Sequence, residues 1–168
     1  MFEAVPVDAS DPLRFHAELD RQLRALIAGE RDRIANAANA SALIFQLVPG
    51  LNWAGFYFLH TERELVVGPF QGKPACVRIA VGKGVCGAAA QRRQSIVVED
   101  VHAFPGHIAC DAASRSELVV PLIREGGTEP GTVLGVLDLD SPLPGRFSEA
   151  DRIGFERLAA TYVAGSDW

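Results

Sequence analysis

The chain has 168 residues, 48% of them hydrophobic and 22% charged, a balance that suits one globular domain and excludes wholesale disorder. Sixteen Lys and Arg against 21 Asp and Glu leave a net charge of −5, so no overall basic field exists to collect nucleic-acid phosphates. No apolar run approaches the roughly 20 residues of a membrane span. The acidic segment from Met1 to Asp11 has no basic or apolar region of the secretory type. An odd cysteine count, three, fits thiols of a reducing compartment better than a disulfide framework. A cytoplasmic protein is the expectation.

In chain order, residues 1–10 read as a flexible terminus. Asp11-Pro12 is an N-cap followed by proline at the first helical position, and Phe15, Leu19, Leu23, Leu26 and Ile27 follow at helical spacing until Gly29. A second helix is expected from about Asp32 to Val48, with Ile34, Ala38, Phe45 and Val48 on its apolar side and Pro49-Gly50 as its stop. The period then changes: Trp53 to Leu59 is aromatic-rich and strand-like, His60 to Arg63 is a turn, and Glu64 to Val67 returns as a hairpin. Val77, Ile79 and Val81 alternate as a third strand, Gly87 to Arg93 is a short helix, and Ser95 to Val98 a short strand. Leu118 to Ile123 and Thr132 to Asp140, joined by the polar loop Glu125 to Gly131, predict an antiparallel hairpin. Ser148 with Asp151 is a capping-box start for a closing helix with the stripe Phe155, Leu158, Ala159, Tyr162 and Val163. The order implies an α+β fold in one domain over 1–168, with a helical pair at 11–48, sheet and loops at 53–140 and a helix at 148–164. Helices from both chain ends should cover one face of an antiparallel sheet.

Several residues could carry chemistry. Gly82-Lys83-Gly84-Val85-Cys86-Gly87 has the G-x-G-x-x-G form, with Asp100 near an acidic ribose-binding position. The following helix is too short for a crossover unit, so a tight turn is the better reading. Cys86 enters that helix, where backbone N–H groups favour a thiolate; Cys76 lies in a Gly/Pro-flanked loop, and Cys110 in the long aperiodic stretch Glu99 to Ser116. All three also suit small buried positions. His102, His107 and Cys110 lack the paired spacing of zinc sites, so no metal is expected. Asp138 and Asp140 share one face of a strand, about 7 Å apart, and Glu117 precedes the partner strand. Three acids at one end of a sheet suit an ammonium group or a cation, and their crowding would raise the pKa of at least one. Solvated strand-end acids are the plain alternative. Trp53 and Tyr57 share one face of their strand and Phe56 and Phe58 the other, so one pair belongs to the core and the other can wall a pocket.

Taken together, Asn-Trp-Ala-Gly-Phe-Tyr at 52–57, Gly-Pro-Phe-Gln-Gly at 68–72, Gly-Lys-Gly-Val-Cys-Gly at 82–87, Val-Glu-Asp-Val at 98–101, Phe-Pro-Gly-His-Ile-Ala-Cys-Asp at 104–111, Ser-Arg-Ser-Glu-Leu-Val-Val-Pro at 114–121 and Gly-Val-Leu-Asp-Leu-Asp-Ser at 135–141 form an ordered series. The series resembles the free methionine-(R)-sulfoxide reductases, which are stand-alone GAF domains. The resemblance implies a thiolate that attacks the sulfoxide sulfur, a cysteine sulfenic acid, a disulfide with a second thiol, and recycling by thioredoxin with no cofactor. By motif position it implies Cys110 as nucleophile, with Cys86 also proposed for that role. It leaves Cys86 and Cys76 as resolving candidates and Cys86–Cys110 as one disulfide. It further implies Glu117, Asp138 and Asp140 as substrate-site acids, Trp53 against the methyl sulfoxide end, and a homodimer. The rival expectations are a ligand-binding sensor domain acting through a separate partner and a thiol redox switch without turnover.

Overall fold

The computed structural model describes residues 2–108, 111–126 and 129–168, apart from the side chains of Glu129 and Pro130. Helix α1 spans Pro12–Leu26, and Asp11 caps it by accepting from the backbone N–H groups of Leu13 and Arg14. Helix α2 spans Arg33–Leu47 under an equivalent Asp32 cap. The strands are β1 (Trp53–Thr61), β2 (Glu64–Gly72), β3 (Arg78–Ala80), β4 (Ile96–Val98), β5 (Ser116–Gly126) and β6 (Glu129–Ser141). Helix α3 (Gly84–Arg92) lies between β3 and β4, and α4 (Glu149–Gly165) closes the chain. Ser148 and Asp151 form the expected capping box at the start of α4.

The strands make one six-stranded sheet in the order β3-β2-β1-β6-β5-β4, and every pairing is antiparallel. The absence of a parallel βαβ unit within this sheet removes the dinucleotide reading of the 82–87 glycines. They instead form a tight turn: Gly82 and Gly84 have φ of +86° and +59°, and a Cβ on Gly87 would lie 2.3 Å from the Ala80 carbonyl oxygen.

Strand alternation splits the molecule into two apolar layers. Ala54, Phe56, Leu118, Val120, Leu122, Leu137 and Leu139 face α1, α2 and α4 and pack with Leu19, Leu23, Ile44, Phe155, Leu158 and Tyr162. Trp53, Tyr57, Val119 and Val136 face the other way and pack with Leu65, Ile79, Val85, Cys86 and Ala89. Thus the Phe56 set is the main core and the Trp53–Tyr57 set walls the second layer.

Two local readings are corrected. On α2 the buried side is Ala37, Ala40, Leu43 and Ile44, whereas Ile34 and Phe45 are 47% and 37% exposed; small residues face inward because the helix lies close on β1 and β2. Strand β2 continues to Gly72, five residues beyond the expected Val67, because β1 offers partners as far as Trp53.

Candidate active site

The site is built on the sheet face away from the terminal helices. Across the central strands, Trp53 of β1 pairs with Asp140 of β6, which pairs in turn with Glu117 of β5. Direct cross-strand neighbours have Cβ atoms about 5 Å apart, so the three side chains stand in a row. One step along, Gly55 pairs with Asp138, and Asp138 with Val119. The i, i+2 relation expected for Asp138 and Asp140 holds, and Glu117 joins them because β5 begins at Ser116, earlier than its apolar run suggested.

Gly55 makes the aromatic side of this face possible. A Cβ there would lie 2.3 Å from Phe70 Cβ and 2.8 Å from Trp53 Cη2. In its absence Trp53 stacks on Phe70 at 5.2 Å and on Tyr57 at 5.9 Å. The Trp53 Nε1 donates to the Lys73 carbonyl at 3.1 Å, and the Tyr57 hydroxyl to the Cys76 carbonyl at 3.1 Å.

Helix α3 brings Cys86 against the acids. Reactive atoms of Cys86, Glu117 and Asp138 lie within 4.8 Å of one another, all buried. That spacing suits a positively charged occupant, a ligand ammonium as well as a metal ion. One carboxylate oxygen of Asp138, Oδ1, is buried without a hydrogen-bond partner among the described residues, an acceptor left for a donor that arrives from outside. Burial raises all three carboxyl groups, and their mutual charge adds to the rise for Glu117 and Asp140. Glu117 and Asp140 sit well above the usual carboxylate range; Asp138, which accepts hydrogen bonds from Cys86, Glu117 and the Leu139 backbone, is pushed up to about 7. Near neutral pH the cluster therefore retains protons that isolated acids would have lost.

Cys86 departs from expectation twice. Its thiol is pushed up, first by burial and then by the charges of Asp138 and Glu117. These outweigh whatever the α3 N-terminus contributes toward a thiolate. It is also a free thiol, so the Cys86–Cys110 disulfide implied by the resemblance is not formed here. Of the two cysteines among the described residues, Cys76, in the loop between β2 and β3, is disulfide-bonded. Cys110 lies outside the described residues.

The structure adds residues that sequence reasoning did not place. His107 and Ile108 close one side of a cavity of about 30 Å³ that Tyr57, Cys86 and the three acids line from below. His107 Nε2 lies 3.7 Å from Glu117 Oε2; burial lowers the imidazole and raises the carboxyl, which disfavours the charged form of each. Asn52 donates through Nδ2 to Asp111 Oδ2 at 3.3 Å and to Ser114 Oγ at 3.0 Å, tying the start of β1 to the segment before β5. Asn52, Asp111 and Ser114 all sit inside the quoted motifs, but nothing in their spacing shows that they meet. His102 is exposed.

The GAF domain family model matches residues 40–164. The free methionine-R-sulfoxide reductase of Escherichia coli is 52% identical over 146 residues, 87% of this chain and 85% of that protein. The crystal structure of a free methionine-R-sulfoxide reductase from Neisseria meningitidis in complex with its substrate superposes with a TM-score of 0.90 at 40% identity, over 98% of this chain and 95% of that one. A putative GAF sensor protein from Burkholderia vietnamiensis superposes at 0.87 with 58% identity, over 94% and 96% of the two chains. On this site and these similarities, the chain belongs to the free methionine-R-sulfoxide reductases, a family of the GAF fold.

Proposed function

We propose that the chain reduces free methionine-(R)-sulfoxide to methionine. The observation that carries this reading is the row Trp53–Asp140–Glu117 with Asp138 beside it: one aromatic wall and three acids at one end of a sheet, Glu117 and Asp138 buried and Asp140 partly so. A free amino acid brings both an ammonium and a polar sulfoxide. Asp138 and Asp140 take the ammonium, whose charge draws out their ionisation. Glu117, raised by burial and by both aspartates, keeps its proton for the sulfoxide oxygen. Trp53 packs against the methyl end.

The Cys110 thiolate attacks the sulfoxide sulfur as the oxygen is protonated. The S–O bond passes from substrate to enzyme, leaving methionine, reduced by two electrons, and a Cys110 sulfenic acid, oxidised by two. The Cys76 thiol condenses with the sulfenic acid, releasing water and forming a disulfide, which a dithiol such as thioredoxin reduces by exchange. Of the two described candidates, Cys76 is favoured as the resolving thiol because it is disulfide-bonded and Cys86 is free. Cys86 stays beside Asp138 as a neutral thiol. The cavity, at about 30 Å³, has room for water-sized occupants, so binding an amino acid requires the His107–Ile108 wall to move outward.

The same enclosure excludes a methionine sulfoxide within a polypeptide, which has no free ammonium and carries flanking residues. The reduced protein, supplied with dithiothreitol, is expected to yield methionine from the free (R)-sulfoxide and not from the same residue inside a tripeptide, as read by chromatography. Equal rates would refute the ammonium role of the acids. The sensor reading has the Burkholderia relative's description in its favour; it expects binding of the sulfoxide with no methionine formed.

A further inference from the structure

Trp53 and Tyr57 reach beyond the pocket they wall. Residues 73–76, which link β2 to the residue before β3, form no helix or strand. The Trp53 indole holds the Lys73 carbonyl and the Tyr57 hydroxyl holds the Cys76 carbonyl. Lys73 Nζ adds a third tie, 3.3 Å to Asp111 Oδ1, the residue that follows Cys110. Tyr57 is 1% exposed and lies in β1, a central strand of the sheet, so its hydroxyl is a fixed point, whereas the Lys73 side chain is 70% exposed.

We infer that Tyr57 is a positioning residue for the thiol step at Cys76: its hydroxyl fixes the Cys76 carbonyl and thereby the approach of the Cys76 sulfur to the Cys110 sulfenic acid. The inference rests on the route proposed above, in which the Cys76 S–H and the Cys110 S–OH give a disulfide and water. Both thiols belong to one chain, so the rate of that condensation depends on how closely the two sulfurs are held in an attacking geometry. A loop released from one of its ties samples more conformations and reaches that geometry less often. Because Tyr57 also lines the pocket, one rigid strand carries both the pocket wall and the tie to the thiol that completes the cycle.

The test is a quenched single turnover of the reduced full-length protein with free methionine-(R)-sulfoxide. Methionine release and disulfide formation are followed separately, and dimedone traps any sulfenic acid. Tyr57→Phe keeps the ring and its stack and removes only the hydroxyl. The expected result is disulfide formation slowed about three- to tenfold relative to methionine release, from loss of one hydrogen bond, with a dimedone adduct accumulating on Cys110. A small monothiol that reduces the sulfenic acid directly should restore turnover, which it would not do for a merely damaged fold. Lys73→Met, outside the pocket, should slow the same step by about twofold, as expected for an exposed ion pair. Equal effects of Tyr57→Phe on both steps, or none on either, overturn the inference. Full thioredoxin-coupled turnover by Cys76→Ser would instead overturn the route on which it rests.

Discussion

Replacing Asp138 with Asn tests the electrostatics of the acid cluster without changing its shape. In the folded protein Asp138 is raised from 3.8 to about 7 by burial, offset in part by hydrogen bonds from Cys86, Glu117 and the Leu139 backbone. Glu117, Asp140, Asp111, His107, Cys86 and Tyr57 are the other ionisable groups that line the pocket. A folded pKa above the unfolded one means the native state holds the proton more tightly, so this group costs stability as pH rises from about 4 through about 7. With about 1.4 kcal/mol per pH unit, the penalty is about 2 kcal/mol at pH 5 and about 4 at pH 8. Asn carries no such penalty, and it also removes a negative neighbour from Glu117. Urea unfolding of both reduced proteins at pH 5, 6, 7 and 8 should show Asp138→Asn gaining about 2 to 3 kcal/mol over the wild type across that range. Parallel pH profiles, within about 0.5 kcal/mol, would mean that the carboxyl is solvated and that the cluster does not hold protons near neutrality.

Three further substitutions address separate parts of the site. Cys110→Ser should abolish methionine formation while leaving the calorimetric Kd for free methionine-(R)-sulfoxide within about twofold, because the sulfur contributes less to capture than the acids do; surviving turnover would pass the nucleophile's role to Cys86. Asp140→Asn should raise KM about 10- to 100-fold with a smaller change in kcat, the effect of losing a charge-assisted bond to the ammonium; an unchanged KM refutes that contact. Gly55→Ala places a Cβ 2.3 Å from Phe70 Cβ and should cost about 1–3 kcal/mol of stability, measurable by thermal unfolding, along with weaker substrate binding as the Trp53 stack shifts.

Much of this fold was legible because its signals are local. The Asp11-Pro12 cap, the Ser148–Asp151 box and the α4 stripe each lie within a few residues and appear as expected. The alternation that puts Asp138 and Asp140 on one face is equally local. Where α2 turns its face was not, since Ala37 and Ala40 give a weaker apolar signal than Ile34 and Phe45 and only the approach to β1 and β2 selects them. Cys86 shows the same limit in its chemistry. Its helix-entry position argues for a thiolate, but Asp138 and Glu117, 52 and 31 residues away in the chain, decide against it. His107 enters the pocket from a segment without periodicity, and Lys73, Asn52 and Asp111 meet only through side chains. The resemblance supplied these motifs in order, and the register of β1, β6 and β5 supplies the reason they belong together.

The central claim is turnover of one stereoisomer of one free amino acid. NADPH consumption with thioredoxin, thioredoxin reductase and the reduced protein measures it directly, with free methionine-(R)-sulfoxide in one cuvette and the (S) epimer in another. The account predicts steady consumption with the first and background with the second. No consumption with either, from protein whose three thiols titrate as reduced, would contradict it and leave the acid cluster as the binding site of a sensor domain.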